Sequence, residues 1–396
     1  MKEIIINVDK ENNKVIMLVE NGKLIERYFE NSQTKRLEGN IYVGKIQNVL
    51  PGMQAAFVDI GEEKNTFIHL KDILPKLDTK NNDTDELIKK SNIKDIAKPG
   101  MSLLVQVKRD STNKKGARVS THLNIPGRFC VYMPEADFIT ISKKIEDDKE
   151  RDRLMKIVEH NMPSNAGIIV RTSAIRKSEA DIVEDIKTLE KEWKTIKECA
   201  TSDENKIPKL VYQNSGIIKR ILVDLVDQDI QKIIVNSKAE YDEIENILKE
   251  TKQKIDVVLK NQDTILDMYD LQVQLEKVDN RKIWLKCGGF ITIDKTEALT
   301  AIDVNSGKYI GTKSLEQTVY TVNTEASIEI AKQLRLRDIG GIIIIDYIDM
   351  KEKEHKEKIV EVLKEQLKKD RSKTQIVGFT ELNLLEMTRK HMCSND

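Results

Sequence analysis

The chain has 396 residues, of which 39% are hydrophobic and 33% are charged, and its 66 basic residues balance its 66 acidic ones. This length allows two or three domain cores. The zero net charge neither indicates nor excludes a polyanionic partner, because such binding depends on a local basic patch. The N-terminus lacks the apolar core of a signal peptide, and no apolar run is long enough to cross a bilayer. We therefore expect a cytoplasmic protein without a membrane span.

The cysteines and histidines show no pattern typical of zinc. No two cysteines form a CxxC pair, and the five histidines form no HExxH motif. Reduced structural thiols are therefore expected, and a zinc hydrolase is not. The four cysteines are Cys130, Cys199, Cys287 and Cys393.

The first 126 residues predict short strands separated by tight turns. An apolar run over 15–19 precedes Asn21-Gly22, a pair typical of a two-residue hairpin turn. From Gly39 the spacing of turns is typical of a small barrel, with strands predicted at 42–46, 55–61, 65–69 and 101–107. A polar stretch from Asp78 to Asp85 predicts a loop between the third and fourth of these strands.

Helices and strands alternate in the remainder of the chain. A third region begins near Gly127, with a strand at 167–172 and then a helix that Ser178 and Asp181 cap. From about Gly216 a strand at 230–235 leads into another helix. The last third is α/β, with helices beginning near Asn323 and running over 353–369, and with strands at 290–294, 300–303 and 342–346. The helix after Ser178 is predicted from the helical spacing of Ile182, Ile186, Leu189, Trp193 and Ile196.

Two acidic residues follow apolar runs in the last third. Asp303 follows Thr300-Ala301-Ile302, and Asp346 follows four consecutive isoleucines. Such a run predicts a strand buried on both faces, and open α/β sheets bind ligands beyond the carboxyl ends of their strands. Two carboxylates that meet there repel each other unless a cation neutralises them, and carboxylates with retained water are typical of magnesium coordination. With Asn305 within reach, the pair predicts a magnesium site.

The alternative is that each aspartate caps the turn after its strand, which is a common role of Asp. For either residue alone, this structural role is the better interpretation. For the pair, the residues alone leave the two interpretations evenly balanced.

Aromatic residues make up only 5% of the chain, so their positions are informative. Phe57 and Phe67 lie in neighbouring predicted strands, with Tyr42 and Lys45 before them. Rings interleaved with basic side chains on a small barrel suit the stacking of unpaired bases beside phosphate contacts. The alternative, that both phenylalanines fill the barrel core, is slightly favoured on the residues alone. The basic residues that follow are Lys108, Arg109, Lys114 and Lys115.

Arg171-Thr172 is predicted at the end of an apolar strand. A guanidinium fork beside a hydroxyl suits a terminal phosphate, because arginine binds phosphate bidentately. A surface salt bridge is the commoner role of such an arginine, so both interpretations stay open.

Several segments together resemble the catalytic half of the ribonuclease E/G family, and its ribonuclease G branch more closely. They occur in the family's order and cover nearly the whole chain. The run from Thr296 to Met350 is too specific to arise by chance. The segments are Gly39–Ile46, Ala55–Asp59, Ile169–Thr172, Thr296–Ser306, Gln333–Gly341, Ile345–Met350 and Leu385–Lys390.

The resemblance implies a multidomain α/β protein with a β-barrel. A ribonuclease-H-like scaffold is expected over 1–38 and 216–280. An S1-type OB barrel over 39–126 and a 5′-sensor over 127–215 are expected as insertions into it. A DNase-I-like α/β domain is expected over 281–396.

The resemblance also implies roles for individual residues. The metal is expected on Asp303 and Asp346, with Asn305 as a third catalytic residue beside the scissile phosphate. The other implied residues are the 5′-phosphate contacts Arg171, Thr172, Gly127 and Val131, and the RNA contacts Phe57, Phe67 and Lys115.

The chain departs from the family's pattern in two respects. A zinc link between protomers is doubtful, because a four-cysteine site needs two cysteines from each protomer and Cys393 stands alone near the C-terminus. A homodimer without that link stays open. Lys143, Lys144 and Lys373 stand where family members carry arginine. Lysine lacks the bidentate fork, so looser 5′-end discrimination is expected.

The expected activity is magnesium-dependent hydrolysis of internal bonds in single-stranded RNA, with manganese as a substitute metal. The expected products carry a 5′-phosphate and a 3′-hydroxyl, and a 5′-monophosphate on the substrate is expected to stimulate cleavage. Ribosomal RNA processing and messenger RNA decay both fit the family. Two alternatives belong to different functional classes: a non-catalytic RNA-binding or ribosome-associated factor, and a phosphodiesterase of small nucleotides. The presence of both aspartates argues against the first, and the barrel and sensor argue against the second.

Overall fold

The computed structural model describes residues 1–32, 36–74, 91–111, 116–202, 206–214, 216–225, 230–250, 253–261, 264–308 and 314–391. The predicted loop from Asp78 to Asp85, and also Lys114, Lys115 and Cys393, lie outside these residues. The chain divides into two compact units, one of Met1–Thr34 with Gln228–Asn395 and one of Lys35–Asp227.

The elements are numbered in chain order within the described residues. The strands β1 to β21 are Lys2–Val8, Lys14–Glu20, Lys23–Glu30, Ile41–Leu50, Ala55–Asp59, Thr66–His69, Ser102–Arg109, Arg118–Ser120, Ile125–Pro126, Cys130–Pro134, Ile139–Ile141, Ala166–Val170, Lys209–Tyr212, Ile230–Val235, Asp256–Leu259, Lys282–Trp284, Phe290–Lys295, Leu299–Asn305, Gly341–Asp346, Thr374–Phe379 and Leu384–Arg389. The helices α1 to α8 are Ile93–Ile96, Asp148–Asn161, Glu179–Thr201, Ile217–Leu225, Lys238–Glu250, Leu271–Val278, Leu315–Leu336 and Lys353–Leu367.

The first sheet of the first unit has the order β15-β14-β1-β2-β3. Strands β1 to β3 form an antiparallel meander, whereas β14 is parallel to both β1 and β15. Asn21 and Gly22 have φ angles of 50° and 74°. A two-residue hairpin turn with positive φ at both central positions matches the twist of its strands, so the predicted turn is confirmed.

The second sheet of this unit, here called the C-terminal sheet, has the order β16-β17-β18-β19-β21-β20. Strands β18 and β19 are parallel and the other neighbouring pairs are antiparallel. The connecting helix α7 begins at Leu315, so the prediction that it begins near Asn323 is wrong. The hydroxyl of Ser314 accepts a hydrogen bond from the backbone N–H of Gln317 and caps the helix there.

The C-terminal sheet is packed on one face and open on the other within the described residues. Ile343 and Ile345 are fully buried with residues of α7 and α8, whereas Ile342 is 51% exposed and Ile344 is half-buried. The prediction that the four isoleucines form a strand buried on both faces is therefore wrong. Successive side chains of a strand point to opposite faces, so a sheet with helices on one side buries only every second residue.

The second unit contains a closed five-stranded barrel. Strand β4 pairs with both β5 and β7, and the ring closes through β6 and β8, with β13 as an additional neighbour of β4. Val58, Ile68 and Val105 are completely buried in its core. Tyr42 is also in this core at 2% exposure, so it does not belong to the predicted aromatic RNA surface. The predicted barrel is confirmed, and its S1 type stays a prediction.

The second unit also contains a sheet of order β11-β12-β10-β9 with the helices α2 and α3, and the further helices α1 and α4. Ser178 caps α3, as predicted, by accepting a hydrogen bond from the backbone of Asp181. The five apolar residues that predicted α3 are all buried on this sheet's side. The mixed α/β architecture with a barrel is thus confirmed, whereas the ribonuclease-H-like and DNase-I-like assignments and the five domain boundaries stay predictions. Among the described helices, none combines the length and apolarity that a membrane span requires.

Candidate functional site

Asp303 and Asp346 are side by side in the C-terminal sheet. They are register partners on the parallel strands β18 and β19, and both are exposed on the open face. Asp346 is the last residue of β19, but β18 continues beyond Asp303 to Asn305. Asp346 thus lies at the carboxyl end of its strand, and both carboxylates project from the open face of the sheet.

Asn305 is hydrogen-bonded to one member of this pair. It lies two residues after Asp303 on the same face, and its Nδ2 donates a hydrogen bond of 2.6 Å to Asp303 Oδ2. The amide oxygen of Asn305 is left as an acceptor or ligand. The three residues predicted to be catalytic are thus brought together.

The electrostatics of the pair fit a cation. Partial burial raises the pKa of Asp346 above its ordinary value, and the negative charges of Asp303 and Asp349 raise it further. A divalent cation at the pair offsets this repulsion. The donors are carboxylate and amide oxygens, which magnesium and manganese prefer over softer ligands. The residues present therefore fit the expected metal.

An aromatic pair beside Asn305 was not predicted from the sequence. Phe290 on β17 is the register partner of Asn305, and Trp284 on β16 is the register partner of Phe290. The two rings lie 5.3 Å apart in an edge-to-face arrangement. A signal exists in the sequence, since two aromatics flank a Gly-Gly turn in an aromatic-poor chain, but it does not reveal the neighbouring strand.

Phe57 and Phe67 are paired on the barrel. They are register partners on β5 and β6, and their rings lie 6.2 Å apart at an angle of 72°. Both are half-buried and neither belongs to the barrel's core cluster. This geometry removes the alternative that both fill the core, while a role in RNA binding stays a prediction.

Arg171 and Gly127 are in direct contact in the second unit. The guanidinium Nη1 of Arg171 donates a hydrogen bond of 2.8 Å to the carbonyl oxygen of Gly127. Thr172 follows and is exposed, and Val131 lies half-buried on β10. Val131 is the register partner of Ile169, two residues before Arg171. The four residues predicted to contact a 5′-phosphate thus lie in one part of this unit.

Asp185 on α3 is a further residue of interest that was not predicted from the sequence. Its carboxylate accepts hydrogen bonds from the backbone N–H groups of Arg128, Phe129 and Cys130 at 3.0, 2.8 and 2.9 Å. Burial raises the pKa of Asp185, and the three N–H groups partly offset that rise. The carboxylate holds the loop that follows Gly127. The sequence feature that could have identified Asp185 is an acidic residue on the apolar face of a predicted helix.

Comparison with known proteins decides the family. The model of the Ribonuclease E/G family matches residues 124–392. Ribonuclease G of Salmonella typhimurium is 37% identical over 395 residues, which cover 98% of this chain and 79% of that protein. The chain belongs to the ribonuclease E/G family. Ribonuclease G of Escherichia coli K12 is 36% identical over 98% of this chain and 79% of its own length, and ribonuclease E of Nostoc sp. is 35% identical over 90% and 52%. Membership of the ribonuclease E/G family makes the chain an endoribonuclease.

A second acidic cluster in this ribonuclease E/G chain has a structural role. Glu316, Glu352 and His355 place three ligand-type atoms within 4.8 Å of one another. Glu316 Oε1 accepts hydrogen bonds from the backbone N–H groups of Lys351 and Glu352, both at 3.2 Å, and it lies 3.0 Å from His355 Nδ1. These contacts join the first turn of α7 to the start of α8. The cluster therefore stabilises the junction between α7 and α8.

Proposed function

We propose that the chain is a magnesium-dependent endoribonuclease that hydrolyses internal phosphodiester bonds of single-stranded RNA, with manganese as a substitute metal. The products carry a 5′-phosphate and a 3′-hydroxyl. The observation that carries the proposal is the register of Asp303 with Asp346 on the open face of a sheet, with Asn305 bonded to Asp303.

The residues of this site divide the chemical work. Asp303 and Asp346 would hold the metal through one carboxylate each. When bound, the metal supplies positive charge to the scissile phosphate and makes water a stronger nucleophile. Asn305 presents an amide that orients the phosphate or the attacking water, and its bond to Asp303 keeps that carboxylate in place. The open face leaves room for an extended polymer, which a closed pocket for a small nucleotide does not.

The barrel would bind the unpaired RNA strand. Phe57 and Phe67 are half-buried outside the core of the barrel, so each ring has a surface on which a base can stack. Lys115 would contact the phosphates of the same strand. This role corresponds to an S1-type OB barrel.

The contact between Arg171 and Gly127 would form the base of a 5′-monophosphate pocket. The hydrogen bond to the carbonyl oxygen of Gly127 fixes the position of the Arg171 side chain. Guanidinium N–H groups bind phosphate oxygens in pairs. Thr172 would add its hydroxyl, and Val131 would form an apolar wall. A 5′-monophosphate bound there would stimulate cleavage downstream.

The remaining elements of the proposal concern architecture and cellular role. The first sheet would be a ribonuclease-H-like scaffold and the C-terminal sheet a DNase-I-like catalytic domain. Processing of ribosomal RNA precursors and decay of messenger RNA in the cytoplasm are the roles we propose. A homodimer is proposed without the zinc link.

The experiment that tests this proposal measures cleavage of a labelled single-stranded RNA by three variants. Asp303→Asn and Asp346→Asn keep the shape of each side chain and remove its charge. We expect cleavage to fall by roughly two or more orders of magnitude, while RNA binding persists. Omission of magnesium should have the same effect, and manganese should restore cleavage.

Asp294→Asn is the matched control. Asp294 lies on β17 of the same sheet, where Arg281 holds it in a salt bridge. Its substitution should leave cleavage unchanged. Near-normal cleavage by both Asp303→Asn and Asp346→Asn would refute the proposed metal site.

A further inference from the structure

We propose that Trp284 and Phe290 form a base-stacking platform for an unpaired nucleotide beside the scissile phosphate. The platform deepens the proposed function, on which it rests, by assigning residues of the catalytic sheet itself to substrate positioning. It also predicts that this sheet, and not only the barrel, contacts the bases of the RNA.

The two rings share a row with the amide of the proposed catalytic site. Trp284, Phe290 and Asn305 are consecutive register partners across β16, β17 and β18. Cross-strand partners point to the same face, so the two rings and the amide form one row on the open face. Neighbouring strands are about 4.8 Å apart, which places Trp284 roughly 10 Å from Asn305. That separation suits a nucleotide next to the bond that is cut.

The platform offers aromatic surface to solvent. Trp284 is 58% exposed although tryptophan is the largest apolar side chain, and Phe290 beside it is half-buried. The chain has only two tryptophans, and the second, Trp193, is buried in the second unit. Single-strand binders use exposed aromatic rings to stack unpaired bases, because every base has a π face.

A lysine brings positive charge to the rings. Lys282 Nζ lies 4.2 Å from the ring centroid of Trp284 and 3.6 Å from that of Phe290. The ammonium group of Lys282 therefore adds positive charge to the platform. The indole of Trp284 remains exposed beside it. The same ammonium group can contact the phosphate of the stacked nucleotide. Rings and charge together fit a nucleotide better than they fit an apolar protein segment.

The experiment described below distinguishes the platform from two other roles of the rings. These are protection of an edge strand and contact between two copies of the chain. The rings and Lys282 could protect β16, which is an edge strand of the C-terminal sheet in the described residues. A second copy of the chain could instead cover Trp284. Neither role predicts that removal of a base from the RNA changes cleavage in a way that depends on residue 284.

The main experiment is an abasic scan. Magnesium and a single-stranded RNA with one cleavage site are used, and an abasic nucleotide is placed at each position near the cut. The variants are Trp284→Leu, which keeps apolar bulk, and Trp284→Phe, which keeps stacking. Val377→Ala is the matched control, because Val377 is 66% exposed on the opposite edge strand of the same sheet.

The unmodified protein and the Val377→Ala and Trp284→Phe variants should lose about tenfold in kcat/KM when the stacked base is missing. Trp284→Leu should lose about tenfold on the intact RNA and should be insensitive to the abasic site. Its cut position should also become less uniform, whereas its melting temperature should equal that of the unmodified protein. A scan in which no position depends on residue 284 overturns the platform.

A binding experiment separates this proposal from the proposed activity. In the Asp303→Asn, Trp193→Phe background, Trp284 is the only tryptophan. Single-stranded RNA should quench its fluorescence, and RNA abasic at the position identified above should not. Quenching without cleavage by the unmodified protein contradicts the proposed activity alone. Normal cleavage without quenching, or a Trp284→Leu effect confined to oligomeric state, contradicts the platform alone.

Discussion

Asn305 donates a 2.6 Å hydrogen bond to the carboxylate of Asp303, its neighbour two residues earlier on the same face of β18. This bond fixes the amide beside the proposed metal site before any substrate arrives. Polar groups that are oriented in advance stabilise developing charge at little reorganisation cost. The position of Asn305 is therefore expected to affect the rate constant more than substrate affinity.

Asn305→Ala removes the amide without adding charge. We expect kcat to fall by roughly a hundredfold, with little change in KM, because the site loses the amide that orients the phosphate or the attacking water. Asn305→Asp should be at least as inactive, since it places a third carboxylate beside Asp303 and Asp346. Steady-state kinetics on a short RNA measure both constants. An unchanged kcat in Asn305→Ala would show that the amide is not used.

Asp346→Asn should stabilise the metal-free protein at neutral pH. Partial burial, and then Asp303 and Asp349, raise the pKa of Asp346 above its ordinary value of 3.8. The folded protein therefore binds this proton more tightly than the unfolded chain does, and the ionised carboxylate lowers the free energy of unfolding above the raised pKa. Below 3.8 both states are protonated and the effect vanishes.

The measurement is the melting temperature in EDTA as a function of pH. At neutral pH the melting temperature of Asp346→Asn should be higher than that of the unmodified protein. This difference in melting temperature should disappear as the pH falls through the raised pKa to below 3.8. Asp294→Asn, which breaks a salt bridge with Arg281, should show no gain. A lower melting temperature for Asp346→Asn at neutral pH would contradict the prediction.

Phe57→Ala and Phe67→Ala should weaken RNA binding without abolishing catalysis. The rings contact each other and lie outside the barrel core, so truncation removes a stacking surface at small cost to folding. Loss of one stacked base raises KM by about tenfold. Phe29→Ala is a suitable comparison, because Phe29 is 40% exposed on β3. Equal KM values in all three variants would show that the rings on the barrel do not bind the RNA.

Arg171→Ala should reduce the preference for a 5′-monophosphate. RNA with this end should be cleaved faster than RNA with a 5′-hydroxyl, and the ratio should shrink toward one when the guanidinium is lost. Arg171→Lys should give an intermediate ratio, because lysine keeps the charge but not the fork. Arg176→Ala, which removes an exposed arginine nearby, should keep the full ratio. Equal rates on both substrates in the unmodified protein would refute the sensor.

Local features were readily predicted from the sequence, because their causes lie within a few residues. Asn21-Gly22 turns the chain, and Ser178 caps α3. The start of α7 was missed for a local reason too. Its first turns carry Thr318, Val319 and Thr321, β-branched residues with low helix propensity that obscure the periodicity.

The candidate site was predicted as a set of residues but not as an arrangement. A strand buried on both faces was expected, but Asp303 and Asp346 lie on an open face, because helices cover only the opposite side of the C-terminal sheet in the described residues. Phe290 and Trp284 were missed because the sequence of their hairpin does not reveal its register with Asn305 on β18. Asp185 was missed because its partners are backbone N–H groups of a distant loop.

The sequence by itself determined which chemical groups the protein has and which short segments become strands, turns and helices. Those choices depend on turn conformations, caps and the spacing of apolar residues. Only the tertiary structure decided that Asp303 meets Asp346 in register and that Asn305 continues a row with Phe290 and Trp284. The physical reason is that a strand offers two faces and two edges, and packing of α7 and α8 selects the face on which the carboxylates remain open.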